Sequence, residues 1–204
     1  MSDSTQWNPQ SNLLDFNTAG EQRDVIPANT VCVLQLTIRP GGADQDGWFK
    51  RYQSGSQGLD CEYTVVGGDY EKRKVWENLV LMGETDGQMK MAESNRAKLR
   101  AMLESAYGIM PDDNSVAAQE ARRPKSYADL NGLCFMARLG IEPASGSYPA
   151  KNKIDLVITP ERKGWHKPEQ IKSVTNTKPA SDGNAAVAPA PTGVIARPKW
   201  GEPK

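Results

Sequence analysis

Histidine occurs once in this chain of 204 residues, at His166, and cysteine three times. A lone imidazole in a stretch rich in Lys and Pro leaves His-based triads and general-base chemistry without a folded home. Cys32, Cys61 and Cys134 form an odd set without CxxC spacing, each within an apolar stretch, which reads as buried thiols in a reducing compartment. There is no GxxxxGK[ST], no GxGxxG opening a helix and no HExxH. Gly67-Gly68 separates two strand-like segments and leads into no helix, and Asp112-Asp113 falls in a polar connection. Neither an enzyme nor a metal or cofactor is therefore expected. No apolar run approaches the roughly 18 residues of a membrane span. The opening MSDSTQWNPQ has no basic stretch followed by an apolar one, so neither a membrane segment nor a signal peptide is expected.

Net charge of either sign is also missing, with 25 basic and 25 acidic side chains. That counts against a polyanion partner, since affinity for phosphate backbones is mainly electrostatic. The distribution is uneven. Residues 160–204 hold eight basic and four acidic side chains, a balance of +4, and the remaining 159 residues carry −4. Phosphate binding by such a body requires locally clustered cations.

What is present is a series of β-type segments. TVCVLQLTIR (Thr30–Arg39) is β-branched, bounded by Pro27 and by Pro40-Gly41-Gly42, and places Cys32, Leu34, Leu36 and Ile38 on one face. Val31, Val33, Gln35, Thr37 and Arg39 take the other. LDCEYTVV (Leu59–Val66) and KRKVWENLVLM (Lys72–Met82) read as a hairpin around Gly67-Gly68-Asp69-Tyr70. Over Gln88–Tyr107 the period changes, with Met91, Asn95, Leu99, Met102, Leu103 and Ala106 on one helical face and Gly108 placed to end it. A polar connection with a short helix near Val116–Arg122 leads to two more strands, Leu133–Ile141 and Lys151–Thr159. Beyond Pro160, segments such as APAPTG and RPKWGEPK cannot build a core. The expected organisation is an N-terminal arm over 1–24, with Trp7, Leu13, Leu14 and Phe16 as possible anchors. A folded domain over 25–160 and a flexible basic tail over 161–204 follow. Three strands, a helix and two strands is the chain order of a mainly β, five-stranded OB-like barrel with its helix between strands 3 and 4. Such barrels bind ligands across strands 2–3 and the 1–2 and 4–5 loops.

Binding single strands without sequence choice requires cations tracking phosphates and aromatic faces for stacking. Three clusters combine them. Trp48, Phe49, Lys50, Arg51 and Tyr52 occupy the long first loop, where an apolar plug against the body is the equal alternative. Tyr70, Lys72, Arg73, Lys74 and Trp76 occupy the hairpin turn and third strand, where alternation aligns Lys72, Lys74, Trp76 and Asn78; the alternative is an ordinary solvated face with Trp76 covered by the N-terminal segment. Arg138, facing away from Phe135, joins Tyr148, Lys151 and Lys153 around the last hairpin. This third group is the weaker signal, because hairpin tips often carry lysine for solubility alone. Asp60 and Glu62, outward on the second strand, would repel phosphates lining a groove there.

Residues from about Val25 to Thr159 resemble a family of phage replication-module proteins, catalogued as a domain of unknown function and similar to single-stranded DNA-binding proteins. The resemblance lies in Ile26-Pro27-Ala28 before the first strand and in YEKRKVWEN (Tyr70–Asn78). It continues in LRAMLESAYGI (Leu99–Ile109), in DLNGLCFMARLGI (Asp129–Ile141), and in Lys151-Asn152-Lys153-Ile154. It implies an OB-type fold that coats single-stranded DNA during phage or mobile-element replication and recombination, in the cytoplasm of a bacterial host. Lys72, Arg73, Lys74 and Trp76 are the first positions carried over. The chain departs from many such proteins in ending on the basic RPKWGEPK rather than an acidic tip, which puts recruitment of replication or recombination partners through the tail in doubt. The other reading is an OB-like protein–protein interaction module that does not touch DNA, favoured by the zero net charge. A virion structural or assembly role is a third. The β-rich edges are compatible with a homo-oligomer but do not require one.

Overall fold

A computed structural model describes residues 24–170. The strands are β1 (Val31–Arg39), β2 (Lys50–Arg51), β3 (Gln57–Val66), β4 (Lys74–Met82), β5 (Cys134–Glu142) and β6 (Lys151–Val157), with helices α1 (Asp86–Tyr107) and α2 (Val116–Ala121) and a helical turn at Tyr127–Leu130. The protein is mainly β, and all strand pairs are antiparallel: β3 joins β1, β2 and β4, and β5 joins β1 and β6. The sheet thus runs β4-β3-β1-β5-β6, with β2 extending the β1 side of β3.

The sheet has six strands rather than five, and α1 follows the fourth rather than the third. The added strand is β2, which Lys50 and Arg51 form beside Gly58 and Gln57 once Trp48 and Phe49 are buried. Gly41 makes this approach feasible, because a Cβ there would stand 2.5 Å from the Lys50 Cα, and Gly58 does the same on the other side of β3, where β4 closes in at a register shift. The sheet is open among the described residues: its edges, β4 and β6, come within 8 Å at their Cα atoms yet form no ladder.

Alternation in β1, β3 and β4 sends Leu34, Leu36, Ile38, Leu59, Cys61, Tyr63, Val65, Val75, Leu79 and Leu81 inward. They meet Phe135, Ala137 and Leu139 of β5, and the Tyr63 and Phe135 rings pack edge to face at 5.9 Å. Helix α1 begins at a capping box of Thr85 and Gln88 and ends at Gly108, whose φ of 75° lets the chain turn away. Ala92, Asn95, Met102, Leu103 and Ala106 form its buried face, and the Asn95 amide donates to the Val80 carbonyl. Met91, expected on that face, is exposed: the buried stripe lies one residue further along, at Ala92. No helix among the described residues is long and apolar enough to cross a membrane.

The body does not stop at residue 160. Residues 161–170, expected in the tail, cross α1 and reach the edge of β5 beyond the end of β6. Trp165 donates its indole N–H to the Ser105 carbonyl at 3.2 Å. The Gln170 amide accepts from the Cys134 N–H and donates to the Cys134 carbonyl, both at 2.9 Å, as a neighbouring strand would. Expectations for the N-terminal arm, including Trp7, Leu13, Leu14 and Phe16, and for the tail beyond 170 fall outside the described residues.

Candidate nucleic-acid interface

The outward faces of β1, β3 and β4 form three cross-strand rows. Arg39, Asp60 and Asn78 make the first, Thr37, Glu62 and Trp76 the second, Gln35, Thr64 and Lys74 the third. Beside them, in the gap between β4 and β6, lies a groove of about 450 Å³. Arg39, Lys50, Lys151 and Lys153 supply its cations, Asp60, Glu77 and Glu142 its carboxylates, and Trp76 and Asn78 stand on the β4 side. Trp76 is 52% exposed.

Most of these cations are paired. Asp60 accepts from Arg39 at 2.6 Å and from Lys50 at 2.9 Å. Lys74 lies 2.5 Å from Glu62, and Glu62 also accepts from the Trp76 indole at 3.1 Å. Burial alone would raise both carboxyls. Hydrogen bonds from Arg39 and Lys50 to Asp60, and from Lys74 and Trp76 to Glu62, outweigh it and hold both below the usual carboxylate range. Lys151 reaches Glu142 at 3.3 Å, while Lys153 has no ion pair among the described residues. Glu77 faces the helix side and meets Lys98 of α1 at 2.6 Å. Lys151–Glu142 is an exposed pair worth roughly 0–1 kcal/mol, which a phosphate can replace at small loss, but drawing Arg39, Lys50 or Lys74 away from Asp60 and Glu62 leaves a largely buried carboxylate short of partners.

Of the expected residues, the groove brings together Lys50, Trp76, Lys151 and Lys153, with Lys74 attached through Glu62. Trp48 and Phe49 are not available to a ligand. They are 2% and 6% exposed, and Phe49 packs against Tyr127 with ring centroids 5.0 Å apart. The alternative of an apolar plug describes them correctly, because a loop aromatic gains more from the core than from solvent. Tyr52 is half-buried, its hydroxyl donates to the Leu59 carbonyl, and burial pushes that hydroxyl up to about 12. Tyr70 lies partly buried against the core.

Lys72 departs from the expected alternation with Lys74 and Trp76, since its φ of 65° breaks the strand before β4 begins. Arg73 donates to the Asp24 carbonyl and so anchors the chain entering the domain. Arg51 is exposed outside the groove. Arg138 is engaged by Asp155 at 2.6 Å, and Tyr148, 77% exposed, stands at the tip of the last hairpin; neither lines the groove.

Sequence reasoning passed over Arg39, Asn78 and Asn152 as site residues. Arg39 was visible as an outward residue, but only the pairing of β1 with β3 sets it beside Asp60. Asn152 lines the groove wall and spends its amide on the Ile26 backbone, accepting from the N–H at 2.8 Å and donating to the carbonyl at 2.7 Å. Comparison of the chain with protein-family models and with curated proteins gives no match, so the resemblance described above stands on its quoted residues alone.

Proposed function

We propose that the protein binds single-stranded DNA with little sequence preference, laying bases on Trp76 and phosphates along the cations of the β4–β6 groove. The observation carrying this reading is Trp76 itself. A large ring half in solvent, on a sheet face between cations, loses apolar contact unless a ligand covers it. Arg39 and Lys50 lie on one flank and Lys151 and Lys153 on the other, which suits a strand whose backbone passes along the groove while its bases turn to the ring. The sheet order, with β4 and β6 as neighbouring edges, supports reading it as an OB-type barrel left open between its third and fifth long strands. We take the fold to be of that kind. Replication or recombination of phage or mobile-element DNA is the setting this reading implies.

The test is fluorescence anisotropy of a labelled oligo-dT at low and moderate salt, with duplex of equal length as competitor. Trp76→Ala is expected to weaken binding by about 1–3 kcal/mol, the usual worth of one stacked base. Its thermal midpoint should stay near that of the wild type, because the ring is exposed. A large drop in the midpoint would place Trp76 in the core and end its stacking role. A second reading is favoured by the near balance of charge in the groove, four cations against three carboxylates: the same face docks a protein. Binding that barely responds to salt, or no binding to oligo-dT, would select it.

A further inference from the structure

The middle strand of the proposed binding face is acidic. Asp60 and Glu62 stand side by side on β3, with cations only to either side. Glu62 does more than repel. One of its carboxylate oxygens meets the Lys74 ammonium at 2.5 Å, and the other accepts from the Trp76 indole at 3.1 Å. Its side chain is 17% exposed, so these two partners fix it within the sheet surface. The indole N–H is the only polar handle Trp76 has, and tying it across the strand limits how the ring can swing while its surface stays half in solvent.

We infer that Glu62 is a positioning and selectivity residue: it pins the Trp76 ring in its exposed pose and keeps phosphate off the middle of the sheet, so that the face admits single strands and rejects duplex. The inference rests on the single-strand reading above. A single strand can send its phosphates to the flanks and its bases to the ring. A duplex keeps its bases stacked inside and meets the sheet with phosphates alone, which the central carboxylates oppose.

Two variants of the full chain separate the roles. Glu62→Gln removes the charge and leaves one acceptor oxygen for which Lys74 and the indole compete, whereas Glu62→Ala removes the charge and every acceptor. Each is titrated with oligo-dT and with duplex of equal length. The indole N–H resonance of Trp76, assigned by its disappearance in Trp76→Phe, is followed without nucleic acid. The Gln variant is expected to shift that resonance less than the Ala variant does and to bind duplex at least about threefold tighter, with a smaller gain for oligo-dT. The Ala variant should move the resonance toward that of a free indole and lose about three- to tenfold in oligo-dT affinity, the worth of one hydrogen bond. Equal gains for both ligands in the Gln variant, or an unmoved resonance in the Ala variant, overturn the inference while leaving the binding reading intact. A wild-type chain that binds no oligo-dT at low salt overturns the binding reading, and the selectivity with it.

Discussion

Two tryptophans with basic neighbours meet opposite fates. Trp48 precedes Lys50 and Arg51 and is buried, whereas Trp76 follows Lys74 and is half exposed. Strand parity decides the second: Val75 and Glu77 face inward or toward α1, which leaves Trp76 outward. No parity governs a loop, so Trp48 goes where burial is largest. The same inward parity on β3 governs a thiol. Burial pushes Cys61 up to about 12, and Cys32 on β1 up to about 11. Since the thiolate is the reactive form, alkylation of the folded chain at about pH 8 should leave both largely unlabelled. Unfolding in denaturant should expose all three cysteines to the reagent. Peptide mass spectrometry reads the outcome, and fast labelling of Cys61 under native conditions would mean that β3 does not present that face to the core.

At the scale of elements, the edge of β5 past the end of β6 has no neighbouring strand on that side among the described residues. An exposed edge invites pairing with another chain. Here several groups close it: the Ile158 N–H donates to the Met136 carbonyl, the Ser105 hydroxyl of α1 accepts from the Met136 N–H, and Gln170 takes both backbone groups of Cys134. Residues 161–170 are therefore part of the fold. A chain ended at residue 160 is expected to be less stable than one ended at 170 by about 1–3 kcal/mol, from the Gln170 bonds and the packing of Trp165. For a domain of this size that lowers the midpoint by about 2–4 °C per kcal/mol, measurable by thermal denaturation followed by circular dichroism. Equal midpoints would show that the segment lies on the body without stabilising it.

At the scale of the molecule, equal numbers of acidic and basic groups set a limit on any polyanion binding. The cations on the binding face are Arg39, Lys50, Lys74, Lys151 and Lys153, and all but the last are shared with a carboxylate. A slope near −0.7 in log affinity against log salt accompanies each phosphate neutralised on a single strand, so the five together give about −3.5 at most. Anisotropy titrations of oligo-dT across a salt series are expected to fall at or below that steepness. A steeper slope would bring in cations beyond these five, and a flat one would favour a protein partner.

Period and punctuation by themselves determined most of the elements. The five long strands, α1 with its Gly108 terminus, and α2 fall within a few residues of where alternation, 3.6-residue spacing and turn residues put them. These signals are local, and a strand or helix with one apolar face announces itself wherever it sits. The outward direction of Lys74, Trp76 and Asn78 was legible for the same reason. Register and loop burial were not legible, because both depend on partners distant in the chain. Only tertiary structure decided that Arg39 stands beside Asp60, that Trp48 and Phe49 fill the core, and that Lys151 and Lys153 face Trp76 across an open seam. The residues from 161 to 170 illustrate the same limit. Their composition resembles solvated chain, and what holds Gln170 is the unpaired backbone of Cys134, created by where β6 ends.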